Sequence, residues 1–168
     1  PNEKWLTDVS EFKYGTGDDE KKGKIYLSVI LDLCGKRPVA YEYSDHNDNP
    51  LVFNTFDKAL AANPGATPLF HSDRGYQYTS KTFRQKIIDA GMNQSMSRVA
   101  RCIDNGPMEG FWGIMKREMY YGKKYKTKDE LIKAIEEYID YYTNKRVQRN
   151  LCILTPQEYY EKHLLEAA

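Results

Sequence analysis

The chain has 168 residues with a formal net charge of +1 at pH 7, and 40% of its residues are hydrophobic and 29% charged. This balance predicts one globular domain over residues 1–168 with a substantial core, and it argues against a disordered chain. No apolar run approaches the roughly 20 residues that a membrane-spanning helix needs, and no signal peptide opens the sequence.

The three cysteines are odd in number and far apart, at Cys34, Cys102 and Cys152. This spacing predicts neither a disulfide framework nor a zinc site, and it fits a cytoplasmic location. The chain begins at Pro1, and strand-like sequence follows at once, so we expect a piece of a longer protein.

The first third of the chain has patterns typical of β-strands. We predict three strands in meander order over residues 5–13, 24–34 and 38–44, the second of them central and buried on both faces. Asp8 interrupts the first strand, where an aspartate is unfavourable. It could mark a turn, be a buried carboxylate satisfied by hydrogen bonds, or bind a metal ion.

Helical and strand-like segments alternate next. The predicted elements are a helix over 51–63, a strand over 67–70, a helix over 80–91 and an edge strand over 93–97. Asp73 follows the short strand almost directly. Residues 98–105 lack periodicity and are predicted to form a mobile loop.

The next predicted helix carries Glu109 in its first turn, with Pro107 suited to its start and Asp104 or Asn105 as its cap. Its apolar stripe is interpreted as core contact and consists of Met108, Trp112, Met115 and Met119. Lys116 follows Glu109 by two turns and should share its face. A long amphipathic helix over 126–146 and a short helix from Thr155 complete the chain.

Asp73 and Glu109 therefore stand at or near the ends of ordered elements, and a third acid, Asp8, lies far upstream within the first predicted strand. Asp8 and Asp73 are separated by 64 residues, and Asp73 and Glu109 by 35. Carboxylates are the ligands that Mg²⁺ and Mn²⁺ prefer, and metal-assisted phosphoryl transfer uses such groups.

Several motifs resemble the integrase catalytic core of bacterial insertion-sequence transposases, which are relatives of retroviral integrases. The similar segments are WLTDVSEF, LSVILDL, HSDRGYQYTS, SMSR, DNGPMEGFWGIMKRE and NKRVQRNLCILTPQEY. Together they cover nearly the whole chain. The sequence departs from the family pattern at Val99-Ala100-Arg101, Gly106 and Gly110, none of which is a candidate metal ligand.

The resemblance implies an α/β ribonuclease H-like fold, with a mixed five-stranded sheet flanked by helices. It implies that Asp8, Asp73 and Glu109 form a catalytic DDE triad that binds two Mg²⁺ or Mn²⁺ ions, with Asp8 bridging both. The implied activity is DNA strand cleavage and strand transfer on transposon ends and target DNA. It further implies a homo-oligomer in the synaptic complex, action at the bacterial nucleoid, and a DNA-binding helix-turn-helix region upstream of this chain.

Basic residues give candidate contacts to DNA. They are Lys116 near the proposed site, Arg98 and Arg101 in the predicted loop, and Lys123 and Lys124 further on. Two other functions stay open on sequence alone. One is a ribonuclease or Holliday-junction nuclease on the same scaffold, and the other is a retired transposase kept as a DNA-binding module.

Overall fold

The computed structural model describes residues 1–15, 22–97 and 105–166, and one sheet organises them. Its strands are β1 (Lys4–Tyr14), β2 (Gly23–Asp32), β3 (Arg37–Ser44), β4 (Leu69–Ser72) and β5 (Asn93–Met96). They lie in the order β3-β2-β1-β4-β5. The first three are antiparallel, whereas β4 runs parallel to β1, and β5 runs parallel to β4. The predicted mixed five-stranded sheet is confirmed.

The second strand is buried on both faces, as its continuous apolar sequence predicts. Val29 and Leu31 enter the core on one side of the sheet, and Ile30 enters the core on the other side. Successive side chains of a strand point to opposite faces, so β2 contributes to both cores. This burial fits the interior position of β2, which lies between β1 and β3, while β1 is the middle strand of the five.

Helices cover both faces of the sheet. They are α1 (Asn49–Ala62), α2 (Tyr76–Thr79), α3 (Lys81–Asp89), α4 (Gly106–Met115), α5 (Lys128–Asn144) and α6 (Pro156–Glu166). Phe56 of α1 and Phe83 of α3 belong to one core, while Trp112 of α4 and Tyr142 of α5 belong to the other. In the described part of the chain, no helix is both long and apolar enough to cross a membrane.

Capping bonds mark the starts of α1, α3 and α5, whereas the predicted capping of α4 by Asn105 is wrong. Asp48, Ser80 and Thr127 precede α1, α3 and α5, and each side-chain oxygen accepts the backbone N–H three residues further on, at 3.1–3.2 Å. Asn105 precedes α4, but its side chain makes no capping bond. Such bonds satisfy N–H groups that lack partners within the helix. The sequence therefore marks the helix starts through local chemistry.

The structure differs from the predicted elements in three places. β4 extends through His71 and Ser72, because it pairs with β1 on one side and β5 on the other. A single turn, α2, precedes α3. Helix α4 continues beyond Met115 as a π-helical turn over Lys116–Tyr120. Most of the predicted loop over 98–105 lies outside the described residues, as do residues 16–21 between β1 and β2.

Candidate active site

Two of the candidate acids come from neighbouring parallel strands. Asp8 lies in the middle of β1, and Asp73 directly follows β4. The backbone of Leu6 is paired with that of His71 in the parallel ladder. Asp8 and Asp73 each lie two residues further along the chain from this pair. The topology therefore brings together two aspartates that are 64 residues apart in sequence.

Asp73 is held in a tight turn. Its Oδ1 accepts the backbone N–H of Gly75 at 2.8 Å. A Cβ atom at Gly75 would lie 3.0 Å from that same oxygen and 3.1 Å from Oε1 of Gln77. Gln77 is buried, and its Nε2 donates to Oδ1 of Asn47 at 2.6 Å. The absence of a side chain at Gly75 thus leaves room for the Asp73 carboxylate.

The environment of Asp8 disfavours the ionised form of its carboxyl group. Burial raises the pKa of Asp8 to about 6, and the negative charges of Asp73 and Glu109 add to this rise. Hydrogen bonds from the Val9 backbone and from Trp112 act in the opposite direction on the same pKa. All three candidate acids are therefore close enough for their charges to interact.

Glu109 reaches the site from a separate element, the first turn of α4. Its residue is exposed, whereas Met108 and Phe111 beside it are buried and anchor the helix in the core. Across residues 1–15, 22–97 and 105–166, no three histidine, cysteine, aspartate or glutamate side chains are arranged to hold one metal ion together. Glu109 acts on Asp8 through its negative charge, which contributes to the raised pKa of Asp8.

Trp112 is the residue of this site that sequence reasoning missed. Its Nε1–H donates to Oδ2 of Asp8 at 3.0 Å. The apolar stripe of α4 correctly predicted that Trp112 is buried, but not that its ring bonds to an acid. The available signal was its position one turn after Glu109, because residues three apart share a helix face.

Lys116 lies at the edge of the same site. Its Nζ is 5.3 Å from the centre of the Phe12 ring, a distance typical of a cation–π contact. Burial lowers the pKa of Lys116, while the negative charges of Asp8 and Glu11 raise it. The charge of Lys116 therefore interacts with that of Asp8, and its contact with a phosphate group stays a prediction.

The other basic candidates are not brought into this site by the described contacts. Lys123 lines a surface depression of about 460 Å³ together with Glu118 and Tyr141. Lys124 is exposed in the segment before α5. Arg98 and Arg101 lie outside the described residues. DNA contact by these residues stays a prediction.

His71 is packed between two strands. Its Nδ1 lies 2.7 Å from Oγ of Ser95, and its Nε2 lies 3.2 Å from Oγ of Ser97. The side chain is buried at the centre of the β4–β5 ladder. His71 is therefore a packed strand residue that the hydroxyls of Ser95 and Ser97 hold in place.

The two tyrosines after Asp73 differ sharply in exposure. Tyr78 is 2% exposed, and its hydroxyl lies 3.3 Å from Oγ1 of Thr7. Tyr76 is 59% exposed, and its hydroxyl donates to the Asn47 carbonyl. Burial therefore excludes Tyr78 as a stacking platform for a nucleic-acid base.

The mixed five-stranded sheet flanked by helices defines a class of protein by its fold, the ribonuclease H-like cores. Residues 1–102 match the family described as Integrase core domain, and residues 109–164 match a second family of that description. The chain belongs to the integrase core domain family.

Two relatives are transposase-like proteins. The chain is 40% identical over 159 residues to an uncharacterized transposase-like protein of Haemophilus influenzae, covering 95% of this chain and 71% of that protein. It is 38% identical over 160 residues to the putative transposase InsK for insertion sequence element IS150 of Escherichia coli, covering 95% of this chain and 54% of that protein. The chain therefore spans only part of each relative.

Solved structures of viral integrases have the same fold. The HTLV-2 integrase catalytic core domain in complex with magnesium matches with a TM-score of 0.70 at 19% identity, over 95% of this chain and 97% of that one. A second match is a chain of the simian T-cell lymphotropic virus intasome in complex with PP2A regulatory subunit B56 gamma. Its TM-score is 0.76 at 18% identity, over 95% of this chain and 54% of that chain. The predicted ribonuclease H-like fold is confirmed.

Proposed function

We propose that this chain is the catalytic core of an insertion-sequence transposase and that it carries out DNA strand cleavage and strand transfer. Asp8, Asp73 and Glu109 serve as its DDE triad. The observation that carries the proposal is the pairing of β1 with β4, which brings Asp73 beside Asp8. Family membership supports transposition over the Holliday-junction alternative, and the presence of all three acids argues against a retired enzyme.

The donor set suits divalent cations. All three candidate ligands are carboxylates, which favour hard ions such as Mg²⁺ and Mn²⁺. The raised pKa of Asp8 supports this fit, because burial and neighbouring negative charge disfavour its ionised form until a cation compensates them. Bound Mg²⁺, as two ions in our proposal, would polarise the phosphodiester and stabilise charge on the entering and leaving oxygens.

The chain's own groups would hold and orient the DNA backbone. Asp8 on β1, Asp73 in the turn after β4 and Glu109 at the start of α4 would hold the cations that bind the DNA phosphate. Lys116 would contact a phosphate beside Asp8. Lys123 and Lys124, with Arg98 and Arg101, would contribute salt-sensitive contacts further along the DNA.

The reaction would proceed in two phosphoryl transfers. In cleavage, a water oxygen forms a bond to phosphorus while the bond to the 3′ oxygen breaks, and this exposes a 3′-OH. In strand transfer, that 3′-OH attacks a phosphodiester of the target DNA, and a target 3′ oxygen leaves. No covalent bond to the protein forms, so the chain needs no nucleophilic serine or tyrosine.

The partners in this proposal are transposon ends, target DNA and further copies of the protein. Two of the solved HTLV-2 core structures are described as dimeric and trimeric. By analogy, we propose that a homo-oligomer assembles on DNA at the bacterial nucleoid. Sequences outside this chain would recognise the transposon ends.

The experiment uses single acid-to-amide changes. Asp73→Asn and Glu109→Gln, placed in the full transposase, should reduce nicking and joining of labelled transposon-end DNA to background. Asp57→Asn is the matched control, since Asp57 pairs with Lys86 at 2.7 Å, between α1 and α3. Circular dichroism should show that all variants fold. Joining that survives either triad change would contradict the proposal.

A further inference from the structure

A partly buried hydrogen bond joins the two elements that carry Asp8 and Glu109. Trp112 lies one helical turn after Glu109 on α4, and its indole N–H donates to Oδ2 of Asp8 at 3.0 Å. We propose that Trp112 is a positioning residue, which sets the orientation of the Asp8 carboxylate toward a divalent cation. This inference rests on the proposed function, because it presupposes a cation at Asp8.

Packing holds the indole ring in place. Trp112 is 7% exposed, and it makes edge contacts with Phe111 at 5.1 Å and Phe12 at 6.3 Å between ring centres. Phe12 lies four residues after Asp8 on β1, so it points to the same face of the sheet. The ring therefore packs against the same strand that its N–H contacts, and it has little freedom to rotate.

A fixed donor restricts the carboxylate. The bond to Oδ2 limits rotation about the Cβ–Cγ bond of Asp8, which also sets the direction of Oδ1. The donor shares a helix face with Glu109, so the same contact sets the distance between that helix turn and β1. Groups that orient metal ligands in this way raise metal affinity because the ligands need less reordering on binding.

A purely structural explanation makes different predictions. A buried tryptophan usually finds an acceptor for its N–H, and Asp8 could serve only that need. Replacing Trp112 would then lower the stability of the fold without changing metal affinity. The proposal instead predicts that the folded variant binds metal more weakly than the wild type when the two are compared at the same concentration of folded protein.

Trp112→Phe removes the donor and keeps an aromatic ring. We expect the affinity for Mn²⁺, measured by water-proton relaxation or calorimetry, to fall about tenfold. Tyr138→Phe is the control, because it removes another partly buried hydrogen bond, from Tyr138 to Glu118 at 2.9 Å. That variant should have a lower melting temperature and an unchanged Mn²⁺ affinity. Equal Mn²⁺ affinity for Trp112→Phe and wild type would overturn the inference.

A measurement on the wild-type chain does not depend on a variant folding. The sequence contains two tryptophans, so ¹⁵N labelling gives two indole N–H signals. Trp5 is an internal reference, since its Nε1 donates to Asn2 at 3.2 Å. Adding Mg²⁺ should shift the Trp112 signal and leave the Trp5 signal unchanged. Metal binding with no change at Trp112 would also overturn the inference.

The two experiments separate this inference from the proposed function. If the Trp112 signal shifts but Trp112→Phe binds Mn²⁺ normally, a cation binds at Asp8 and only the positioning role is wrong. If the wild-type chain binds no Mn²⁺ and neither indole signal responds, the metal site itself is wrong, and the inference fails with it.

Discussion

Asp8 and Asp73 lie beside each other at the middle of β1 and the end of β4, two residues beyond the pairing of Leu6 with His71. Their proximity destabilises the folded chain, because an ionised Asp8 is buried near other negative charges. The same arrangement is what a divalent cation would stabilise. Stability and metal binding should therefore respond in opposite ways to removal of this charge.

Asp8→Asn should stabilise the metal-free chain at pH 8. The pKa of Asp8 is about 6 in the folded chain and 3.8 for a free aspartate side chain. Folding therefore disfavours the ionised form of Asp8. This difference in pKa corresponds to a destabilisation of the folded chain by about 3 kcal/mol above pH 6. The destabilisation diminishes as the pH falls from 6 toward 3.8. Urea unfolding in EDTA at pH 8 and pH 4 measures it. An equal effect of the substitution at both pH values would contradict this origin.

On the proposed function, Mg²⁺ should raise the melting temperature at pH 8 and lose this effect as the pH falls below about 6. Protonation of Asp8 competes with the cation for the same oxygens. Thermal unfolding with and without millimolar MgCl₂ at pH 5 and pH 8 tests this. Asp73→Asn should abolish the shift at pH 8, whereas Asp57→Asn should preserve it.

Gly75→Ala should weaken the site without breaking a helix or a strand. The added Cβ would lie 3.0 Å from Oδ1 of Asp73, so that carboxylate has to move. We expect Mn²⁺ affinity to fall about tenfold, as for other changes that misorient a ligand. Calorimetric titration measures the change.

Gly110→Ala is the matched control for Gly75→Ala. Gly110 lies within α4, and nothing is within 4 Å of the position of its Cβ. Alanine should raise the free energy of unfolding by about 1 kcal/mol, since it favours the helix over glycine. Mn²⁺ affinity should not change. A similar loss of affinity in both variants would show that the Asp73 turn is not the cause.

Arg146→Gln should destabilise the chain by about 1 kcal/mol at pH 7, because a forked but partly exposed ion pair is lost. Arg146 donates through Nε and Nη2 to both carboxylate oxygens of Glu118 at 2.7–3.0 Å. Hydrogen bonding from Arg146 lowers the pKa of Glu118. The contribution is therefore present above the ordinary glutamate pKa of 4.5 and is lost as the pH falls below it.

A double-mutant cycle with Glu118→Gln isolates this pair. Unfolding in urea at low and high salt gives the coupling energy and its screening. A coupling energy that is the same at pH 7 and pH 3 would show that packing, and not charge, connects the π-helical turn to the end of α5.

Local sequence patterns predicted most of the secondary structure. Helical periodicity predicted α1, α3 and α5, and the side chains of Asp48, Ser80 and Thr127 cap these helices through bonds to residues three positions away. These features depend on neighbours within a turn or two, so they can be predicted from short segments. The extension of β4 through Ser72 could not, because its pairing partners lie in other strands.

The sequence by itself determined the order of the elements, the burial of β2 on both faces and the three acids as candidates. Only the tertiary structure decided that Asp73 lies beside Asp8 and that Trp112 donates a hydrogen bond to the same carboxylate. Both relationships depend on the parallel register of β1 with β4 and on the packing of α4 against β1. Those arrangements minimise the free energy of the whole core, and no single segment contains the information that fixes them.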